Sequence, residues 1–452
     1  MDNRIRKTAY SIRDAVRTQL WPIPTVGVVA AVAFGILVPH LDSLIDVGLP
    51  RWLDALVFGG DAGAARTVLE AVSGSLITVT SLTFSLTVVT LQLASSQFSP
   101  RLLRTFTRDL FVQVTLAIFL ATFTYSLTVL RSVRSGDEST AAFVPRVAVT
   151  VSFLLALASV FALVFFLSHL TRQIRVETML ENVHGGATET VKANLIRRDA
   201  TQNAHPILTP PADAVRFVAW KSGFLLRIDD GRLVAVASSM DVFIRIDRSP
   251  GSFVVEQTPI ARVWRRGAGF PSLDDNKMLD AALRAALHFG PERTAAQDVG
   301  YGLRQLVDVA VKALSPGIND PTTASHALGH IAALLSEFAQ YRLGDVSTID
   351  ADGGVRVGYA RPTFADYLEL AITQPRHYGG SDPFVVASLL RVLLDLACTV
   401  PSEYFGVILS QLQRLQSTAD TRDFDSAERT QQAELASEIA DAIAARRKIE
   451  SQ

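Results

Sequence analysis

Cysteine is almost missing from these 452 residues, and the single thiol, Cys398, can form neither an intramolecular disulfide nor a multi-thiolate metal site. That scarcity fits a reducing compartment, and a place directly after "LLDLA" predicts that Cys398 is a core residue. A surplus of either charge is missing too, because 43 Lys and Arg face 44 Asp and Glu, for a formal net charge of -1. The balance excludes an overall pull towards nucleic acid or acidic lipid. Charge is sparse altogether, at 19% of residues, whereas the hydrophobic fraction is 49% and the mean hydropathy +0.27. The apolar excess lies before residue 171, which makes this a membrane protein with a large polar remainder.

Local enzyme signatures are absent as well. There is no phosphate-loop pattern, no glycine fingerprint between strand and helix, and no nucleophile elbow. The expectation is a protein without cofactor that is not an enzyme, although a dispersed active site would leave no local motif. A cleaved signal peptide is not expected: the basic stretch before the first apolar run is too long, and Pro39-His40 after it is no small-residue cleavage site.

Four apolar segments, about 21–39, 69–98, 110–130 and 147–170, approach the roughly 20 residues that a helix needs to cross the hydrocarbon core. Orientation follows from lysine and arginine in the short flanks. Arg4, Arg6, Lys7, Arg13 and Arg17 precede the first span, Arg101, Arg104 and Arg108 separate the second from the third, and Arg172 and Arg175 follow the fourth. Both termini are therefore expected in the cytoplasm. The fold class is then a four-helix transmembrane domain, 1–171, followed by a cytosolic α+β part.

Within that part, 172–204 reads as a helical connector broken or bent at Gly185-Gly186. Residues 205–265 read as a small β-domain, with "AVRFVAW", "GFLLRI", "DVFIRID" and "SFVVEQTPIARVW" separated by the turns "KSG", "DDG" and "SPG". From 272 to 452 the pattern is helical, interrupted by one hairpin around "STIDADGGVRVGYA". Leu435, Ile439 and Ile443 in the last helix could assist association or simply pack on their own domain.

The stretch Arg293 to His330 carries the most information. Thr294 and Gln297 have capping-box spacing, and Asn319, Asp320 and Pro321 restart a helix, with the carboxylate as N-cap and proline at the first position. His326 and His330 share a helical face and are weak metal candidates. No carboxylate stands between them as in zinc hydrolases, so the expectation is no metal. "RTAAQDVGYGLRQLVDVAVKALSPGINDPTTA" together with "SLTFSLTVVTLQLASSQFSPRLL" resembles the family of bacterial predicted membrane proteins called domain of unknown function 2254. The resemblance implies an inner-membrane protein with a membrane region first and a cytosolic remainder. It supplies no catalytic residues, substrate or cofactor.

Within the second span, "TVTSLTFSLTVVTLQLASSQ" alternates like a strand, but a lone strand in lipid leaves its backbone unpaired. Wound as a helix at about 100° per residue, it puts Thr78, Ser81, Ser85, Gln92 and Ser96 on one side and Thr80, Thr83, Thr87 and Thr90 on the other. Back-bonding to carbonyls and close helix packing account for hydroxyls of this kind. Two stripes at once, with Gln92 and Gln97 besides, suit a helix packed within its subunit on one side and facing the axis of a homo-oligomer on the other. The lining candidates are Thr80, Thr83, Thr87, Thr90, Gln92 and Gln97. Arg101, Arg104 and Arg108 at one mouth and Arg131 and Arg134 at the other would favour anions weakly, and the same arginines can serve as membrane anchors. The leading expectation is an ion channel in the bilayer; a non-conducting scaffold or sensor is the alternative, and a membrane-associated enzyme, built on Asp298, Asn319, Asp320 and His326, the third.

Overall fold

A computed structural model of the chain describes residues 21–45, 57–97, 109–135, 142–173, 175–199, 206–265 and 273–450. They form two compact units, divided after Arg175.

The first unit contains four helices long and apolar enough to cross a membrane: α1 (Pro22–Ile45), α2 (Ala62–Gln97), α3 (Leu110–Leu130) and α4 (Arg146–Gln173). α3 is the central one, packed on the other three. Half of its apolar window is buried, against 22–28% for its neighbours. α1 approaches α3 closely because its contact face is small: a methyl built on Gly27 would lie 3.3 Å from Ala117, and one on Gly35 would lie 2.7 Å from Thr128. α1 also continues through Pro39 instead of ending there, as membrane helices permit when neighbours satisfy the freed backbone. Its Asp42 then accepts from Val147 N at 2.9 Å, which satisfies one of the free donors at the start of α4. α2 has 36 residues. At about 54 Å it exceeds a hydrocarbon core of about 30 Å, so it crosses tilted or projects beyond it.

The second unit begins with α5 (Val176–Asn194), which runs unbroken through Gly185-Gly186 where the sequence suggested a break. Its buried Leu180, Val183, Ala187 and Val191 outweigh the roughly 1 kcal/mol that each glycine costs in a helix. β1 (Val215–Val218), β2 (Gly223–Ile228), α6 (Asp230–Ser239), β3 (Val242–Ile246), β4 (Phe253–Val254) and β5 (Pro259–Arg265) follow. Where "DDG" was read as a turn, Asp229 caps α6. Further on come α7 (Leu273–Ala286) and β6 (Leu287–Gly290), then α8 (Gly300–Ala313), α9 (Pro321–Phe338), β7 (Val346–Ile349) and β8 (Val355–Tyr359). α10 (Phe364–Gly379), α11 (Pro383–Thr399), α12 (Phe405–Asp420) and α13 (Ser426–Glu450) complete the chain.

The strands of 205–265 do not close on themselves. One sheet has the order β1-β5-β3-β8-β7, with β3 and β8 parallel and the other pairs antiparallel; the second has the order β4-β2-β6. Both recruit strands from the later, mostly helical stretch. One apolar core, including Leu225, Leu233, Ile244, Val263, Leu279 and Val357, joins the two. In the helical part Ile439 and Ile443 of α13 are buried within their own unit. Cys398, expected in the core, is exposed on α11, because the apolar face there is made by Val392, Leu393, Leu396 and Ala397.

Two glycines test this packing in opposite directions. Gly302 of α8 lies against Ala187 of α5 with no room for a methyl, so Gly302→Ala should cost about 1–3 kcal/mol. A methyl built on Gly329, inside α9, would meet no neighbouring side chain or element within 4 Å among the described residues, and Gly329→Ala should gain about 0.5–1 kcal/mol. Denaturant midpoints of the two variants against wild type measure both.

Candidate functional site

The two polar stripes of α2 have different environments. Thr80, Thr83, Thr87 and Thr90 are buried, on the side of α2 turned towards the α3 and α4 helices that pack on it. Three of the four hydroxyls donate to carbonyls one turn back: Thr80 to Leu76 at 2.6 Å, Thr87 to Thr83 at 2.8 Å and Thr90 to Leu86 at 2.8 Å. Thr83 Oγ1 is buried without a hydrogen-bond partner among the described residues. On the opposite side Thr78, Ser81, Ser85 and Gln92 are exposed. Leu82, Phe84, Val88 and Val89 are exposed on either side of that stripe, while the neighbouring spans present Val26, Val29 and Phe34 on α1 and Phe153, Phe161 and Phe165 on α4. Gln97 has no described side chain, and Arg101, Arg104 and Arg108 lie outside the described residues.

α3 and α4 are joined by a second set of hydroxyls. Ser126 and Ser152 are 2.7 Å apart, Thr122 and Ser159 3.2 Å, and all four are buried. Ser126 also lies within hydrogen-bond reach of Thr122 O, and Ser159 of Leu155 O, so these two hydroxyls have partners both within their helix and across the contact.

The two ends of α3 carry different polar sets. At its start Asp109 is the N-cap: Oδ1 accepts from Phe111 N at 2.8 Å, and Oδ2 meets His169 Nε2 at 2.6 Å and the Gln173 amide of α4. Phe111 lies against the His169 ring, centroids 4.6 Å apart. This cluster was not anticipated from the sequence. Its traces there are an aspartate just before an apolar run and the four-residue spacing of His169 and Gln173. At the other end Arg131 and Arg134 are exposed, and the Arg134 backbone pairs with Phe143.

In the second unit Asp320 caps α9, accepting from Thr323 N at 3.0 Å and Thr323 Oγ1 at 2.6 Å. Asn319 before it has a left-handed backbone, φ +49°, as asparagine tolerates. These hydrogen bonds from Thr323 hold the Asp320 carboxyl below the usual carboxylate range. Asp298 lies at the opposite end of α8, about 21 Å of helix away, and so does not join Asn319, Asp320 and His326 in one cluster. It is buried beside Gly251 and ion-paired with Arg293 at 2.7 Å; burial pushes its carboxyl up while Arg293 pulls it down. Gln297 makes no capping box. Its amide bridges Ile228, accepting from N at 2.8 Å and donating to O at 3.1 Å, and α8 starts without a side-chain cap. His326 is exposed, and His330 is half-buried against His184 of α5. Among the described residues no three His, Cys, Asp or Glu side chains are placed to share a metal ion.

Four apolar helices with an internal hydroxyl lattice, followed by a mixed α and β unit, define a multi-span membrane protein. The chain belongs to the family described as Predicted membrane protein (DUF2254), which it matches over residues 17–395. Uncharacterised proteins of Mycobacterium bovis and of two strains of Mycobacterium tuberculosis are 38% identical to it over 400 residues, 88% of this chain and 75% of each relative. No solved structure matches.

The hydroxyl lattice predicts opposite responses. Ser126→Ala and Ser152→Ala should each lower stability by about 0.6–2 kcal/mol. Thr83→Val, which removes a buried hydroxyl without a partner, should leave stability unchanged or raise it. Thermal unfolding in one detergent separates the three. In the second unit Asp320→Ala should cost about 1 kcal/mol through the lost cap. The carboxylate's depressed value makes this contribution complete above its ordinary 3.8 and lost as pH falls through the lower folded value, so wild type and variant should converge in acid.

Proposed function

We propose that the protein is an oligomeric ion channel of the bacterial inner membrane, its copies meeting along the outer face of α2. Thr78, Ser81, Ser85 and Gln92 then line a water-filled axis, while the threonine stripe packs inside each subunit. The observation that carries this reading is the position of the second stripe. A glutamine amide has four hydrogen-bonding sites to satisfy, and lipid offers none. The outward faces of α1 and α4 are apolar and suit lipid. Gln92, among the original lining candidates, keeps that place; Thr80, Thr83, Thr87 and Thr90 give it up to the exposed stripe, because they are spent on contacts within the chain.

In this reading both termini and the second unit lie in the cytoplasm, where that unit would assemble and gate the pore. With no acid or base in the centre of any span, selectivity would come from hydroxyl and amide dipoles, and arginines at the mouths, Arg101, Arg104, Arg108, Arg131 and Arg134, would favour anions weakly. A non-conducting scaffold or sensor is favoured by one feature: the threonine stripe already shows hydroxyls of α2 serving packing alone.

Purified protein in liposomes decides between them. Wild type should pass chloride or potassium, Ser81→Leu, Ser85→Leu and Gln92→Leu together should reduce the flux at least about tenfold, and Thr83→Val should leave it intact. Absence of flux for every ion tried would leave the scaffold reading.

A further inference from the structure

α5 is the covalent route from the last membrane helix into the second unit, since only residues 174 and 175 separate it from α4. Its buried face packs on α8 and α9. Towards α9 the contact includes a pair of histidines. His184 stands edge-on to His330, ring centroids 5.4 Å apart at 62°, and its Nδ1 lies 3.3 Å from the His330 backbone oxygen. With Nδ1 donating to a carbonyl, the neutral His184 ring keeps its lone pair on Nε2. Farther along the same contact Thr188 Oγ1 donates to Glu337 Oε2 at 2.5 Å.

The charged and titratable groups acting on His330 are His184 and Glu181 from α5 and His326 from α9 itself. Glu181 and His326 are exposed, whereas both paired rings are half-buried. Burial first, then His184, holds the His330 imidazole below the usual histidine range, and Glu181 opposes them without reversing the result.

We propose that the His184–His330 pair is a proton-operated fastening: with the His330 ring neutral α5 is held on α9, and acidification around the second unit loosens that hold. The sign follows from linkage. His330 is depressed from 6.5, so the contact contributes fully above that pH and weakens as pH falls from there through the folded value, because the released state binds the proton more readily. The fastening stands without the channel reading. If the protein conducts, release of α5 reaches α4 directly through the chain.

Amide hydrogen exchange of the full-length protein in detergent, at about pH 7.5 and about pH 5.5 and corrected for intrinsic rates, tests it. Protection of 176–194 relative to α12 should fall on acidification. The fall should vanish in the His184→Gln, His330→Gln double variant and persist in His326→Gln. An unchanged ratio in wild type, or a fall that survives the double variant, overturns the proposal. Should the double variant not fold, histidine C2-hydrogen exchange on wild type reads the His330 midpoint itself: below 6.5 is expected, and a midpoint at or above 6.5 overturns the fastening. None of these readouts depends on ion flux, so a silent liposome assay and a failed fastening are separate results.

Discussion

A polar group carried into hydrocarbon has to find its partner inside the protein, and the first unit is organised around that constraint. The backbone meets it by winding into helices. The hydroxyls of α2 meet it by closing onto their own carbonyls on the side turned inwards, and those of α3 and α4 meet it by pairing across the helix contact as well. Asp42, from the end of α1, does the same for the first free amides of α4. What is left over lies on the exposed stripe, where Thr78 closes onto Gly74 O at 3.2 Å while Ser81, Ser85 and Gln92 face outwards. A surface of that kind is stable in lipid when another copy or water covers it, and the functional reading follows from this remainder.

The second unit obeys a different economy, because water is available and burial of apolar surface dominates. Its sheets draw strands from widely separated stretches: β8 enters between β3 and β7, and β6 joins β2 after the whole of α7. Gln297 fastens the end of β2 to the start of α8 through one amide. α5 is bound into the same unit by a close crossing at Gly302 and Ala187, which leaves it well placed to transmit a change in either direction along the chain.

Much of this was legible where the cause is local. Hydropathy over about 20 residues finds the four spans, and the Asp320-Pro321 start of α9 is legible because a cap acts over three residues. The division of α2 into two stripes also follows from winding alone. Which stripe faces inwards does not, since that depends on the sides that α3 and α4 occupy. For the same reason the sequence hid the Asp109–His169–Gln173 cluster, in which Asp109 is 60 and 64 residues from its two partners, and the closeness of α1 to α3 at Gly27 and Gly35. Local signals misled where tertiary contacts compete with them: Gln297 bonds to a strand instead of capping its helix, α5 passes through two glycines, and Cys398 falls on the outer face of an otherwise apolar helix.

The central claim is that copies meet along the outward stripe of α2. It is tested most directly by disulfide cross-linking in membranes, starting from a chain in which Cys398→Ser has removed the single native thiol. A cysteine placed at Ser85 or at Gln92 should cross-link copies on mild oxidation, while one at Phe161, exposed on α4, should not. Chains that stay monomeric with the α2 cysteines but pair through position 161 would contradict the account.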